Sequence, residues 1–392
     1  MKKLLLALVA LVSMHGYAQK EGFSYTFYGQ VRSDYYYNSR KSVETVDGLY
    51  YYTPKEERFD ELGQDLNDKA ESNTYLSYSR LGLNMKGMDI GIFHTGAKVE
   101  LDFRGSGSTL NVIRLRHAYV TLSYKNAEIL IGQTWHPMAN NIQPKMLNLN
   151  TGAPFHPFNR SPMVRYTLKN HSFLLTAAAV WQQQYCSVGP SGTGNSYLKN
   201  SNIPEMVLGI DYEDKAWKVG TMANLLSIMP ATESTVAGKI YKLSNRLTTM
   251  SVGGHFRYAK EKWFVQGETL YAQNMAHTSM LGGYGVSTLK EEIGEMSYSA
   301  DRYQSSWINL LYGKIWKPGL FVGYMKNLDP RHEIIGDSWG KARGISDLCT
   351  ASAQFTYNQP HIRTGLEYNF TRAWYDKAVN NHRLVAVVCY MF

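Results

Sequence analysis

The sequence predicts an all-β fold: a transmembrane antiparallel β-barrel of about sixteen strands. Three observations predict it. The chain ends on an alternating strand, with Leu384, Ala386, Val388, Tyr390 and Phe392 on one face. Stretches of roughly ten residues with period two recur along the whole length. Short turns and long loops separate them in regular alternation. A lipid-facing surface must be apolar, and the last strand must pair with the first to leave no open edge. A terminal aromatic then sits at the membrane interface.

Composition agrees. With 44% hydrophobic residues, 29 Tyr and 33 Gly, mean hydropathy is only −0.34. A barrel hides its apolar half in every second residue, so its average resembles that of a soluble chain. Met1–Ala18 reads as an export signal: Lys2 and Lys3 form the basic start, Leu4–Val12 the apolar centre, and Gly16-Tyr17-Ala18 the small-residue cleavage site. Residues 19–392 then form one barrel domain, with no plug and no lipid-anchor cysteine after the cleavage site. Cys186, Cys349 and Cys389 have no metal spacing and imply no disulfide framework; Cys349 and Cys389 read as packing residues. The formal charge is +9, and losing Lys2 and Lys3 leaves +7.

The first strand is Phe23–Tyr35, with Phe23, Tyr25, Phe27 and Val31 facing away from Gln30, Arg32 and Asp34. Tyr75–Met85 and Thr95–Arg104 follow. In the latter, Ala97, Val99, Leu101 and Phe103 alternate with Lys98, Glu100, Asp102 and Arg104, which separates lipid from water in one strand. Asn111–Leu122 alternates poorly and predicts a bulge. Then come Glu128–Trp135, Met163–Leu168, Phe173–Trp181, Glu205–Tyr212, Trp217–Leu225, Met250–Tyr258, Trp263–Ala272, Tyr303–Gly313, Leu320–Lys326, Leu348–Tyr357, Ile362–Phe370 and His382–Phe392. Short turns such as Lys125-Asn126 and Lys260-Glu261 alternate with long loops, predicted over 38–73, 182–204, 227–248, 274–298, 327–346 and 372–381. That asymmetry is the outer-membrane plan, with turns periplasmic and loops extracellular. A barrel of this size is wide enough for an aqueous channel.

His136–Arg160 stands apart. It lacks alternation, is rich in Pro and Asn, and carries Met138, Ile142, Met146, Leu147, Leu149, Phe155 and Phe158, too many apolar residues for a freely solvated loop. It joins the fifth and sixth strands and is expected to fold inward as a third extracellular loop that narrows the channel. Lys145 and Arg160 lie on it.

Basic residues fall on the polar faces of the strands: Arg32, Lys98, Arg104, Arg257, Arg363 and Arg383, joined by Arg80, Arg114, Arg116 and Arg165. A charge on the lipid face costs about 2–4 kcal/mol at midplane, so these point to the lumen. Glu100, Asp102, Asp211, Glu268 and Glu367 share it. The surplus of arginine predicts passage of small anionic solutes. The outward faces would meet outer-membrane lipid and lipopolysaccharide. The basic residues are dispersed one per strand, which excludes a nucleic-acid surface. The acidic run Glu56–Glu71 in the first long loop lacks a calcium-loop pattern and reads as solvated.

The strings Ser79-Arg80-Leu81-Gly82-Leu83, Arg114-Leu115-Arg116-His117-Ala118-Tyr119, Gly132-Gln133-Thr134-Trp135 and Val164-Arg165-Tyr166 resemble the DcaP-like trimeric porins. Gly323-Tyr324-Met325-Lys326-Asn327-Leu328 resembles their Bacteroidetes members. The resemblance implies a homotrimer, a constricting third loop, and passage of small anions such as dicarboxylates, with Arg80, Arg116 and Arg165 lining the pore. That family often carries a coiled-coil segment before the barrel; here only a few residues separate Gln19 from the first strand, so a trimer would rest on walls and loops.

Neither a cofactor nor a resident metal is expected. Two other classes compete with the channel. A barrel hydrolase needs a nucleophile beside a histidine, and no such motif stands among the serines and 11 His. An adhesin would use the long loops, with Tyr36, Tyr37, Tyr50, Tyr51 and Tyr52 as its aromatic surface.

Overall fold

The protein is described by a computed structural model covering residues 22–45, 50–105, 112–140 and 142–392. The predicted export signal, Met1–Ala18, lies outside the described residues.

One closed antiparallel sheet dominates. It contains seventeen hydrogen-bonded stretches, two of which lie end to end on the same neighbour and form one strand, giving sixteen. In chain order they are β1 (Ser24–Asn38), β2 (Glu71–Tyr75 continued by Arg80–Lys86), β3 (His94–Gly105), β4 (Val112–Tyr124), β5 (Ala127–Trp135), β6 (Arg160–Asn170), β7 (Phe173–Val180) and β8 (Glu205–Glu213). The ring continues through β9 (Trp217–Ile228), β10 (Leu247–Lys260), β11 (Trp263–Gln273), β12 (Arg302–Tyr312), β13 (Trp316–Asn327), β14 (Asp347–Asn358), β15 (Ile362–Trp374) and β16 (Ala378–Met391).

Each strand pairs with its sequence neighbours, and β1 closes on β16 from Gln30 opposite Met391 to Asn38 opposite Arg383. Phe392 extends the seam: its N–H donates to Gly29 O at 3.1 Å, and the Gly29 N–H donates to Phe392 O at 2.9 Å. A Cβ on Gly29 would stand 2.6 Å from the Phe392 ring, so glycine there lets the terminal aromatic lie against the first strand.

The alternation sorts side chains as predicted. On β8, Met206, Leu208, Ile210 and Tyr212 are exposed while Glu205, Val207 and Asp211 are buried. On β16, Leu384, Val388 and Tyr390 face out, and Val385, Val387 and Cys389 face in. The exposed faces form the apolar band that lipid requires. Its lower rim carries cross-strand aromatic pairs next to four successive short turns: Phe173–Tyr212, Trp217–Tyr258, Trp263–Tyr312 and Trp316–Tyr357, with centroids 4.6–5.6 Å apart. Each pair adds about 0.5–1.5 kcal/mol beyond area burial, and together they mark one membrane interface.

Register shifts between β3 and β4 and a break in β2 interrupt the ring beside β3. The predicted bulge is present in β4: Glu100 pairs with His117 and Leu101 with Leu115, so Arg116 is the extra residue and both it and His117 turn inward. The break in β2 spans Leu76–Ser79, where Tyr78 turns inward and Leu76 outward.

One predicted loop is corrected. Residues 372–381 do not form a long connection; β15 and β16 are joined by 375–377 only. The strands here continue past the apolar band, and polar residues such as Asn380 and Asn381 read as loop although they are paired with Arg372 and Thr371.

Segment 136–159 is bonded to inward-facing side chains around the ring. Arg32 donates to Leu147 O at 2.7 Å, Gln266 to Gln143 O at 2.6 Å, and Gln354 to Lys145 O at 2.9 Å. Glu367 accepts from the N–H groups of Leu147 at 2.5 Å and Asn148 at 3.3 Å. Its apolar residues are buried: Phe155 among Trp307 and Phe321, and Leu147 among Tyr36, Val385, Val387 and Cys389. All three cysteines are free.

Gly323 on β13 makes room for the Phe155 ring, since a Cβ there would stand 2.7 Å from it. Gly323→Val is expected to destabilise the barrel by about 1–3 kcal/mol through overpacking, read as a lower unfolding temperature in detergent. An unchanged transition would mean that the segment does not rest on β13.

Candidate functional site

The inward faces of β2, β3, β4 and β6 bring five arginines together around two acids. Asp102 is fully buried and takes a fork from Arg114, with Nε donating at 3.0 Å and Nη2 at 2.7 Å, plus Arg116 Nη1 at 3.1 Å. Arg116 Nε donates to Glu100 Oε1 at 2.5 Å, and the Tyr28 hydroxyl donates to Glu100 Oε2 at 2.7 Å. The bulge in β4 makes this possible: it aims Arg116 inward although its neighbour His117 also points in.

Arg80, Arg104 and Arg160 have no carboxylate partner among the described residues. They lie on aromatic rings instead. Arg104 Cζ stands 3.9 Å from the Tyr50 centroid and 5.2 Å from that of Tyr78, and none of its guanidinium nitrogens has an acceptor among the described residues. Arg160 lies 4.6 Å from the Trp135 centroid, with Nη2 donating to the Tyr185 hydroxyl at 3.1 Å. Arg80 lies 4.0 Å from Tyr78, and Arg32 shares that ring at 4.8 Å. The break in β2 is what turns Tyr78 into this plate. Desolvated cation–π contacts contribute about 2 kcal/mol each.

Five guanidinium groups against two carboxylates leave three positive charges uncompensated in the cluster. Tyr185, on the loop 181–204 outside the spanning strands, registers that field. Burial pushes its pKa up, yet Arg160, Arg114, Arg104 and Arg116 together hold it below the usual tyrosine value. Arg104 and Arg116 are 1% exposed and Arg160 0%, while Arg80 is partly exposed.

Two open cavities lie nearer the short-turn end, and both are basic. One, of about 630 Å³, is lined by Lys86, Lys98 and Arg165 together with Asp89 and Glu128. The other, of about 380 Å³, lies beside Lys145 and is lined by Lys260, Lys262, Lys314 and Lys317 against Glu261 alone.

The family model for Gram-negative porins matches residues 5–224, more than half of the chain. The chain belongs to the Gram-negative porin family. No curated protein matches it in sequence. In fold it is similar to the outer membrane channel DcaP of Acinetobacter baumannii, at 18% identity over 96% of this chain and 99% of that one, with a TM-score of 0.72. It is also similar to Salmonella typhi OmpF in complex with daunomycin, at 11% identity, 96% and 99% coverage and a TM-score of 0.61. The trimer form of Vibrio cholerae OmpT matches at 11% identity, 95% and 100% coverage and a TM-score of 0.58. The family and the closed barrel support a passive outer-membrane channel.

In this porin the sequence-predicted site residues separate into three places. Arg80, Glu100, Asp102, Arg104, Arg116 and Arg160 meet in the cluster. Lys98 and Arg165 line the larger cavity, where Arg165 Nη2 lies 4.0 Å from Glu128 Oε1. Lys145 stands outside that cluster, with Nζ 3.6 Å from the Phe264 ring centroid. The aromatic plates Tyr50, Tyr78, Trp135 and Tyr185 escaped the sequence reading. Of the five tyrosines expected to form an adhesive surface, Tyr36, Tyr50, Tyr51 and Tyr52 are buried and Tyr37 is 36% exposed. In the acidic first loop, Asp65 is taken by Arg40 at 2.7 Å.

Proposed function

We propose that this porin favours small anionic solutes, with dicarboxylates as the fitting class, and that segment 136–159 sets the width of its channel. The excess of basic side chains along the lumen carries the reading: three uncompensated guanidinium groups in the cluster, then lysine-lined cavities towards the short-turn end. Fixed positive charge in a low-dielectric wall raises the local concentration of anions and repels cations. The buried arginines act on a passing solute through their field, and the exposed lysines are available as direct donors.

Export through the Met1–Ala18 signal and assembly as a homotrimer of the DcaP-like kind belong to the same reading. So does an outer face in contact with outer-membrane lipid and lipopolysaccharide, which the exposed apolar band and aromatic rim support.

The test is the reversal potential of the purified protein in a planar bilayer across a salt gradient. Stepwise openings with a reversal potential on the anion side are expected. A potential on the cation side would overturn the anion preference and leave the porin assignment intact.

A further inference from the structure

Two histidines and a carboxylate converge at the base of segment 136–159, where three separate stretches of chain meet. His136 follows β5 directly, Glu205 begins β8, and His277 lies in the single turn Ala276–Thr278 of the connection between β11 and β12. His136 Nε2 stands 3.3 Å from Glu205 Oε1, and His277 Nε2 stands 3.0 Å from Glu205 Oε2. The ligand atoms all fall within 4.8 Å of one another, and none of the three side chains is more than 1% exposed.

The surroundings hold these groups in place. Asn224 Nδ2 donates to Glu205 Oε1 at 2.5 Å. Asn159 Nδ2 donates to His277 O at 3.0 Å, and the His136 N–H donates to Asn159 O at 3.0 Å. The Phe158 N–H donates to Thr278 O at 2.6 Å. Both ends of segment 136–159 are therefore fixed beside the site. Two buried nitrogens stay unsatisfied among the described residues: His136 Nε2, aimed at the carboxylate without hydrogen-bond geometry, and His277 Nδ1. Buried polar atoms of this kind call for a partner.

We propose that His136, Glu205 and His277 bind one divalent ion of the zinc class. Each imidazole faces its own carboxylate oxygen, so two nitrogens and a bidentate carboxylate supply four donors. Imidazole with carboxylate suits zinc, nickel or cobalt. Calcium and magnesium require shells built from oxygen and do not fit. Ligation gives His136 Nε2 the partner it lacks. One contact opposes it: the Met138 N–H donates to His136 Nδ1 at 3.4 Å, and this long bond must open for Nδ1 to carry the proton. The ion would pin the base of segment 136–159 and the turn Ala276–Thr278 to β8, whichever solute the channel passes.

The experiment uses full-length protein purified from membranes, stripped with chelator, given excess Zn(II) and passed through a desalting column. Elemental analysis is expected to find one zinc per chain in the wild type and less than a tenth of that in Glu205→Gln and in His277→Gln. The exposed His94→Gln variant is expected to keep its zinc. The loaded wild type should also unfold at a higher temperature than the stripped form. Zinc absorption spectroscopy of the wild type, which needs no variant to fold, is expected to show nitrogen and oxygen ligands with an imidazole signature. Failure of the wild type to retain zinc, retention by both site variants, loss on His94→Gln, or a shell without imidazole would each overturn the proposal.

Discussion

Asp102→Ala is expected to cost roughly 3–5 kcal/mol of stability, the usual penalty for removing one partner of a buried ion pair. The carboxylate is fully buried and takes three charge-assisted hydrogen bonds from two arginines. Without it, Arg114 and Arg116 are left against Glu100 alone, in a wall that already holds Arg80, Arg104 and Arg160 without acids. Urea unfolding in lipid vesicles, followed by tryptophan fluorescence, measures the loss. Asp102→Asn keeps the size and removes the charge, so a similar loss assigns the effect to electrostatics. Adding Arg114→Met to Asp102→Ala removes a stranded guanidinium and should recover part of the deficit, a coupling between contacting residues that a double-mutant cycle isolates. The exposed Asp89→Asn serves as reference, within about 0.5 kcal/mol of wild type. A comparable result for Asp102→Ala would mean the cluster is not the buried network described above.

The barrel was legible because the period-two signal is local. Lys98, Glu100, Asp102 and Arg104 occupy one face of a single strand, and their apolar partners the other, so the inward direction follows from four residues. The poor alternation over Asn111–Leu122 likewise announced the bulge, and Arg116 is the extra residue. The rest depended on contacts distant in sequence. Nothing local marks Tyr78 as a plate for several guanidinium groups, because its inward turn follows from a break in β2 that no glycine or proline signals. Tyr50 and Tyr185 come from two different loops and meet the cluster only once the ring is closed. Polar residues in a strand that rises above the bilayer look like loop, as they do over 372–381. Lys145 and Arg160 are close in sequence, yet Lys145 lies over Phe264 on β11 while Arg160 begins β6 and joins the arginine cluster.

That separation gives the second large effect, and salt distinguishes its two parts. Lys145→Glu with Lys317→Glu replaces two positive charges by two negative ones beside an open cavity. Across 10 Å of water a unit charge acts with about 0.4 kcal/mol, roughly a twofold change in ion partition, so a change of four units should abolish the anion preference at 0.1 M salt. At 1 M the screening length falls to about 3 Å, and the double variant should then resemble wild type. Arg104→Met removes a single charge, but one that is 1% exposed and unpaired among the described residues. Through an effective dielectric of about 20, the same distance gives about 1.7 kcal/mol, and a buried charge is screened far less. The variant should therefore lose anion preference at both salt concentrations. It should also keep its fold, since relief of repulsion from neighbouring guanidinium groups offsets the lost Tyr50 contact. Reversal potentials at the two concentrations decide the matter. If Arg104→Met leaves selectivity unchanged at both, the buried cluster serves the wall alone and the lysines at the short-turn end carry the discrimination.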